Sequence, residues 1–399
     1  MTKPTSQEDP VVIAGMARTA IGNFLGAYAG TPAPALGARA IEAALARGGV
    51  KAQDVDEVLM GCVLPAGLGQ APARQAALGA GLPQETGCTT VNKMCGSGMK
   101  TVMMAHDAIL AGSSTISVAG GMEAMTNAPH LLPAGRSGIK YGAGQVLDHM
   151  AVDGLEDAYD RGKAMGVFAE KCAREWRFSR EEQDEYSMRS VTRAQDAIRN
   201  GSFRDEIVPV EVKTRKGAVS VEDDEKPGLV DAAKIPTLRA AFEKDGTVTA
   251  GNASAISDGA AALVLMRRST AEARGAAPLA RIVAHSTHAQ APEWFTTAPV
   301  ASMAKLFEKT GWSPDEVDLY EINEAFSVVP LAAMREHKLP AEKVNVHGGA
   351  IALGHPIGAS GARIIVTLIN ALKSGGGRKG VASLCIGGGE ATSVALELV

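Results

Sequence analysis

The sequence has few aromatic residues, few cysteines and no long apolar stretch. Aromatic side chains make up only 4% of its 399 residues, whereas there are 45 glycines. This balance predicts helices and strands that pack closely through small side chains. Hydrophobic residues account for 46% and charged residues for 21%, which is typical of a globular protein and excludes disordered and fibrous classes. A chain of this length is expected to form two or three domain-sized units.

Charge and hydropathy exclude several classes of partner. The formal net charge is −4, which argues against a broad nucleic-acid-binding surface but is compatible with a local basic pocket for one phosphorylated ligand. No apolar run approaches the ~20 residues that span a bilayer. The polar N-terminal segment lacks the build of a signal peptide. We therefore expect a cytoplasmic enzyme with no membrane and no nucleic-acid partner.

The five cysteines are widely spaced and include no Cys-x-x-Cys pair; they are Cys62, Cys88, Cys95, Cys172 and Cys385. Such a pattern indicates neither a disulfide framework nor a zinc cage of cysteines. Reduced thiols in a reducing compartment fit it best. Most cysteines in that setting are inert core residues, so a catalytic assignment has to rest on the neighbouring residues.

An internal repeat divides the chain. Residues 95–98 (Cys-Gly-Ser-Gly) begin a predicted helix that runs to Gly112, and residues 358–361 (Gly-Ala-Ser-Gly) begin another that runs to Gly375; both ends are 263 residues apart. Each helix is followed by an apolar segment with consecutive glycines, at 117–124 and 384–391, which predicts a short strand and a glycine turn. The fixed offset indicates a duplicated α/β unit.

The order of the predicted elements indicates the domain organisation. Short β-branched strands that alternate with helices predict a mostly parallel sheet covered on both faces. Between the halves, a loop at 126–150 precedes a charged amphipathic helical region at 170–200, and an insertion this long is usually functional. We predict a first half from 1–125 and 253–277, an inserted loop domain at 126–252, and a second half at 278–399.

Cys95 stands where an extended segment is predicted to turn into a helix. Free backbone N–H groups and the positive end of the helix dipole favour a thiolate there. Such positions can lower a cysteine pKa from ~8.5 to between ~3.5 and 7.5. The glycines on either side of Ser97 permit close approach of a substrate. Taken alone, this segment fits a buried cysteine with only a packing role at least as well as it fits a catalytic one.

Three later segments add candidate groups. His347 and His355 belong to a glycine-rich loop before the second repeat helix, and loops at the ends of parallel strands are where α/β proteins place binding sites. His355, next to Pro356, is the better catalytic candidate, whereas His347 fits a structural hydrogen-bonding role. Cys385 precedes three glycines whose free N–H groups can face an oxyanion. Asn323 ends another predicted strand, where it can orient a water or an oxygen atom.

Together these segments resemble the thiolase family. The motifs that carry the resemblance occur in the family's order: Asn-Lys-Met-Cys-Gly-Ser-Gly-Met at 92–99, Gly-Asn-Ala-Ser-Ala-Ile-Ser-Asp-Gly-Ala-Ala at 251–261, Asn-Glu-Ala-Phe at 323–326, Gly-Gly-Ala-Ile-Ala-Leu-Gly-His-Pro-Ile-Gly-Ala-Ser-Gly at 348–361 and Cys-Ile-Gly-Gly-Gly at 385–389. The resemblance spans nearly the whole chain. It implies an α/β thiolase fold of two similar βαβαβαββ-type halves, layered α-β-α-β-α, with an inserted loop domain.

The resemblance also implies residue roles. Cys95 would be the nucleophile that takes the acyl group, His355 the base that activates it, and Cys385 the residue that exchanges the C2 proton of the second thioester. Asn323, through a water, and His355 would form one oxyanion site, and the N–H groups of Cys95 and Gly387 the other. No metal or other cofactor is implied. Coenzyme A would be held by the inserted domain and by Ser254, Ala250, Gly251, Met165 and Phe326.

The activity implied is the Claisen condensation of two acetyl-CoA molecules to acetoacetyl-CoA and CoA, or the reverse thiolysis, in a homo-oligomer whose segment 126–150 resembles the family's tetramer-forming loop. Two residues depart from the acetoacetyl-CoA pattern near the family's acyl pocket. Ala164 stands where such members often have His, and Phe295 lies in a strip where many have Met. The alternative is therefore a 3-ketoacyl-CoA thiolase of fatty-acid breakdown. A non-catalytic acyl-CoA-binding relative would lack a reactive cysteine, and a condensing enzyme for carrier-bound chains would lack Cys385.

Overall fold

The structure is a computed structural model that describes residues 9–215 and 217–399. Its strands are β1 (Val11–Thr19), β2 (Gly22–Asn23), β3 (Glu57–Gly61), β4 (Gly87–Val91), β5 (Ile116–Ala124), β6 (His130–Leu131), β7 (Leu147–Asp148), β8 (Ile207–Val208), β9 (Val210–Thr214), β10 (Gly217–Val221), β11 (Ser257–Arg267), β12 (Ala280–Ala289), β13 (Leu319–Ile322), β14 (Lys379–Ile386) and β15 (Glu390–Leu398). Its helices are α1 (Ala33–Arg47), α2 (Pro72–Gly79), α3 (Ser97–Ala111), α4 (Met165–Trp176), α5 (Arg180–Asn200), α6 (Arg268–Arg274), α7 (Ala298–Thr310), α8 (Val328–His337), α9 (Ala350–Leu353) and α10 (Ile357–Gly375).

The main sheet is mixed, with strand order β13-β14-β15-β12-β1-β11-β5-β3-β4. Along this order only the outer pairs are parallel: β13 with β14, and β3 with β4 and β5. Beside this order, the two-residue strand β8 also pairs parallel with β1. The pairs between β14 and β5 are antiparallel. The expectation of a mostly parallel sheet is therefore wrong. Where strands follow each other through a turn, as β14 and β15 do, the connection is a hairpin and the pairing must be antiparallel.

The sheet consists of two half-sheets, because β1 and β12 pair over only two residue pairs. α3 and α10 pack between the half-sheets in one central core, whereas α1 with α2 and α7 with α8 contribute to two separate outer cores. Along β11, Ala262 and Val264 belong to an outer core while Leu263 and Leu265 belong to the central one. This alternation buries both faces of the strand. The five layers confirm the architecture that the resemblance implied.

The two repeat helices lie where the sequence predicts them. α3 ends before Gly112 and α10 before Gly376, and both glycines adopt the left-handed conformation that terminates helices. The predicted glycine turn after α3 is wrong, since Gly120 and Gly121 lie inside β5. A Cβ atom on Gly121 would stand 2.0 Å from the carbonyl oxygen of Gly358. Glycine is needed there because α10 begins against the strand.

The inserted segment contains helices α4 and α5 and the hairpins β6–β7 and β9–β10. α5 begins with a capping box between Ser179 and Glu182, which satisfies the first N–H groups of the helix. Its Tyr186 and Ser190 hydroxyls donate to the buried carboxylate of Glu324 in the second half. After the insertion, β11 lies between β1 and β5. Among the described residues, no helix is both long and apolar enough to cross a bilayer.

Candidate active site

A cavity of about 300 Å³ lies where both halves and the inserted segment meet. Cys95 comes from the first half, His355 and Gly387 from the second, and Met165 from the insertion. The remaining lining is mostly apolar: Met94, Met125, Gly154, Leu155, Ala164, Gly166, Phe242, Ala253, Ser254, Ala255, Ile256, Phe295, Ala325, Phe326 and Ile357. Walls of this kind exclude water and strengthen polar interactions with a bound group.

Cys95 is held in a tight turn just before α3. Met94 adopts a left-handed conformation with φ 48°, which is uncommon for a residue with a side chain and costs on the order of 1–3 kcal/mol. The Ser97 hydroxyl compensates, since it accepts a hydrogen bond from the Lys93 N–H and donates one to the Met94 carbonyl. The side chain of Asn92 accepts from the Met94 N–H. The turn therefore fixes the direction of the Cys95 side chain.

The sulfur of Cys95 faces its own N–H group and the N–H group of Gly387. Even so, burial raises the pKa of the thiol to about 11. The expectation of a pKa lowered by the helix start is therefore wrong. Two N–H dipoles do not offset the loss of water around a sulfur that is largely surrounded by protein. Cys95 is a neutral thiol at rest and needs a base to become a nucleophile.

His355 has one ring nitrogen fixed and the other available. Its Nδ1 lies 2.6 Å from the Ser360 hydroxyl, which donates its own proton to the Pro356 carbonyl. Nδ1 must therefore carry the hydrogen, and Nε2 keeps its lone pair. Burial, and then the charge of Arg363, lower the pKa of His355 to about 3. The ring is thus neutral and has a free acceptor nitrogen in the cavity wall.

Asn323 directs its amide towards that nitrogen. It follows β13, where its N–H donates to the Ser383 carbonyl, and its Nδ2 lies 3.5 Å from His355 Nε2. Its Oδ1 atom is buried and has no hydrogen-bond partner among the described residues. Buried acceptors of this kind are normally satisfied by an ordered water or a ligand.

Cys385 is fully buried at the end of β14. Burial, and then the neighbouring Cys95 sulfur, raise the pKa of Cys385 well above its usual value. Gly388 and Gly389 follow with φ values of 91° and 89°, which only glycine adopts readily. The resulting turn brings the N–H group of Gly387 to the Cys95 sulfur. The structure therefore brings the two cysteines of the motifs together.

The predicted coenzyme A residues divide between two places. Met165, Ser254 and Phe326 line the cavity, whereas Ala250 and Gly251 line a separate cavity of about 260 Å³.

The two departures from the family pattern, Ala164 and Phe295, both line the first cavity. The rings of Phe242 and Phe295 meet Phe326 edge-on at 6.0 and 6.4 Å. His347 lies edge-on against Phe203 at 5.9 Å.

Sequence reasoning missed Glu123, although its segment was matched to that of Glu390 in the repeat. Glu123 is fully buried, and its carboxylate accepts hydrogen bonds from the N–H groups of Val63, Leu64 and Gly358. It thereby ties β5 to the start of α10. The available signal was a carboxylate inside an otherwise apolar strand, because such a group needs buried partners.

Comparison with known proteins agrees with this geometry. A model of the thiolase N-terminal domain matches residues 11–269, and a model of the thiolase C-terminal domain matches residues 276–398. The chain belongs to the thiolase family. This thiolase is 49% identical to acetyl-CoA acetyltransferase 1 of Arabidopsis thaliana, with 100% of this chain and 98% of that protein covered. It is also 49% identical to the acetyl-CoA acetyltransferase of Rhizobium meliloti (strain 1021), with 97% and 98% covered.

A solved structure shows the same fold. The crystal structure of the Bacillus anthracis acetyl-CoA acetyltransferase superimposes on this thiolase with a TM-score of 0.95. The two chains are 42% identical, and the match covers 98% of this thiolase and 99% of the other chain. The similarity therefore includes both halves and the inserted segment that closes the cavity.

Proposed function

We propose that this thiolase is an acetyl-CoA C-acetyltransferase, which condenses two acetyl-CoA molecules to acetoacetyl-CoA and CoA or catalyses the reverse thiolysis. The relatives described above support the substrate, since they carry that name. The observation that carries the chemistry is the Cys95 sulfur, which faces two N–H groups in the same apolar cavity as the free nitrogen of His355.

The first half-reaction is acyl transfer to Cys95. His355 Nε2 takes the thiol proton, and the sulfur attacks the thioester carbonyl of acetyl-CoA. The N–H groups of Cys95 and Gly387 stabilise the resulting oxyanion. The carbon–sulfur bond to CoA then breaks. The departing sulfur needs a proton, and we propose that Cys385 donates it, because its raised pKa keeps it protonated at rest.

The second half-reaction forms the carbon–carbon bond. The Cys385 thiolate takes a C2 proton from a second acetyl-CoA, whose enolate oxygen is held by His355 and by a water on Asn323. The unpartnered Oδ1 atom of Asn323 supports the presence of that water. The C2 carbon attacks the acetyl carbonyl on Cys95. Acetoacetyl-CoA leaves as the Cys95 sulfur recovers its proton from the imidazolium of His355, so protons and charges balance. This scheme uses no metal and no other cofactor.

Coenzyme A binding remains a proposal. Ser254 lies in the wall of the first cavity, and Gly251, three residues earlier, lies with Ala250 in the wall of the second. We assign the pantetheine arm to the first cavity, beside Met165 and Phe326, and the nucleotide to the second. The side chains of Lys226 and Lys234 in the second cavity supply positive charge for phosphate groups.

A homo-oligomer, with a tetramer as the preferred form, fits two exposed features. β4 is an edge strand of the main sheet and none of its residues is buried, so it presents unpaired backbone groups to a second copy. The loop around β6–β7 exposes four apolar side chains: Leu132, Ile139, Tyr141 and Val146. Exposed apolar groups in one loop favour a protein contact. We propose that β4 and the 126–252 insertion form these contacts.

We also propose that the enzyme works in the cytoplasm, where its five unpaired thiols stay reduced.

Mass spectrometry of the trapped intermediate tests the function. After exposure to acetyl-CoA, the wild-type protein should carry one acetyl group per chain on the peptide that contains Cys95, and Cys95→Ala should carry none, because among the described cysteines it is Cys95 whose sulfur faces two N–H groups and shares a cavity with His355. Cys88→Ala is the matched control and should retain the adduct. Labelling mainly on Cys62, Cys88 or Cys172 would contradict the assignment, and complete lack of labelling would indicate a non-catalytic binder.

Comparing thiolysis of acetoacetyl-CoA with that of longer 3-ketoacyl-CoA substrates distinguishes an acetyl-CoA C-acetyltransferase from a 3-ketoacyl-CoA thiolase of fatty-acid breakdown.

A further inference from the structure

Three potential metal ligands converge at the surface seam between α3 and β12. Asp107 Oδ1 lies 3.0 Å from His106 Nδ1 and 2.8 Å from His285 Nε2. All three atoms lie within 4.8 Å of one another. The chemistry proposed for Cys95 uses none of these side chains. His106 and Asp107 belong to the first half of the repeat, whereas His285 belongs to the second.

We propose that His106, Asp107 and His285 bind one divalent transition-metal ion, with zinc as the ion that suits them best. Two imidazole nitrogens and one carboxylate oxygen form a common zinc-binding set. Ligand atoms around a tetrahedral zinc with bonds of ~2.0–2.1 Å lie about 3.3 Å apart. The two separations to Asp107 are a few tenths of an ångström shorter, and the two imidazole nitrogens lie within 4.8 Å of each other, so both imidazoles would rotate towards one another to hold the ion.

The surroundings fit an ion that prefers imidazole to oxygen. The side chains of His106 and His285 are only 11% and 18% exposed, whereas Asp107 is 56% exposed, which leaves room for water as a fourth ligand. Calcium and magnesium rely on several oxygen ligands, whereas this cluster supplies one carboxylate and two imidazoles.

The consequence of metal binding is a cross-link between the two halves. α3 begins beside Cys95, but His106 follows that residue by eleven positions, which is roughly 16 Å along a helix. The ion would therefore stabilise the folded protein without entering the reaction. A ligand that binds only the folded state raises the midpoint of thermal unfolding by an amount that grows with the logarithm of its concentration above Kd.

Zinc binding to the full-length, metal-free protein tests the proposal by titration calorimetry and thermal unfolding. Wild type should bind one zinc per chain and unfold at a higher temperature with zinc present. Asp107→Asn keeps the shape of the exposed side chain and should lower zinc affinity at least ~10-fold, since one ligand charge is lost; His285→Ala should behave alike. His288→Gln, on the same strand but bonded to Gln290, is the control and should bind as wild type does.

Three results would overturn the proposal. One is equal zinc affinity in wild type and Asp107→Asn, which would put the ion elsewhere. Another is an absence of one-to-one binding in wild type. Cobalt as a spectroscopic probe distinguishes a cysteine site, because thiolate ligands produce a charge-transfer band that a His-Asp-His site lacks. Such a band in the wild-type protein, retained in His285→Ala, would assign the metal to cysteine and refute the proposal.

Discussion

The two halves of this thiolase share a strand-and-helix plan, yet they supply different groups to one cavity. The first half places Cys95 before α3, while the second places His355 before α10 and Gly387 after β14. Glycines at matching positions of the two halves also differ in their surroundings. Gly121 lies inside β5 against α10, whereas Gly388, at the matching place in the repeat, lies in an open turn. Duplication therefore preserved the packing plan, while the loops where the halves meet diverged.

The matched glutamates show the same divergence. Glu123 is buried and binds the backbone at the start of α10, including the N–H of Gly358. Its counterpart Glu390 lies near the surface and forms an ion pair with Lys93, just before Cys95. Each carboxylate thus reaches the other half, one at a helix start and one at the nucleophile turn. The buried contact should matter more, because exposed ion pairs are worth little.

The largest expected effect separates the two cysteines. Cys385→Ala should still become acetylated at Cys95, although more slowly because the departing CoA sulfur loses its proton donor, but should neither exchange the C2 protons of acetyl-CoA with deuterated water nor condense two acetyl groups. A thioester C2 proton is weakly acidic and needs a positioned base. Cys95→Ala should fail at acetylation itself. Mass spectrometry follows the adduct, and NMR follows deuterium incorporation. Equal loss of acetylation in both variants would leave Cys385 as a structural neighbour only.

Alanine substitution at the two matched glycines, Gly121 and Gly388, should lower the free energy of unfolding for different reasons and by different amounts. Gly121→Ala should destabilise the fold by about 3 kcal/mol or more, because its Cβ atom would meet the Gly358 backbone. Gly388→Ala meets nothing within 4 Å, so its cost should be only the conformational strain of about 1–2 kcal/mol. Gly228→Ala, which also meets nothing, is the control and should stay within ~0.5 kcal/mol of wild type. Denaturant unfolding measures all three, and equal costs at 121 and 388 would refute the distinction.

The smallest expected effect is a pH dependence of stability from Glu123. Burial raises its pKa to about 7, above the ~4.3 expected in the unfolded chain. The folded state then binds the proton more tightly, so this group's contribution to stability is full below pH ~4.3 and falls as the pH rises towards 7.

Replacing that carboxyl should remove the dependence. At pH 5, Glu123→Gln should have a lower free energy of unfolding than wild type. At pH 8 this difference should be smaller by on the order of 1–3 kcal/mol, because wild type has lost the contribution of the protonated carboxyl. Glu390→Gln, at the matching place in the repeat, is the control. Unfolding free energies at both pH values provide the measurement. If the Glu123→Gln difference grew with pH, the three N–H donors would outweigh burial.

Much of the site was predictable because its groups lie in short motifs. Cys95, His355, Cys385 and Asn323 were each singled out from local sequence, and the structure brings their segments to one cavity. Their roles remain predictions, as do the domain boundaries. Glu123 was missed because its partners are separated from it by 59 to 235 residues. The direction of the Cys95 pKa shift was wrong because the helix-start argument considers N–H dipoles and leaves out burial.

The sequence by itself determined the duplicated plan, the positions of α3 and α10, and the residues that carry chemistry, because periodicity, glycine spacing and motif order are local properties. Only the tertiary structure decided the antiparallel centre of the sheet, the tautomer of His355 and the neutral state of the Cys95 thiol. Each of these depends on which distant groups surround a residue and on how much water they exclude. The contact between His285 and Asp107, 178 residues apart, belongs to the same class.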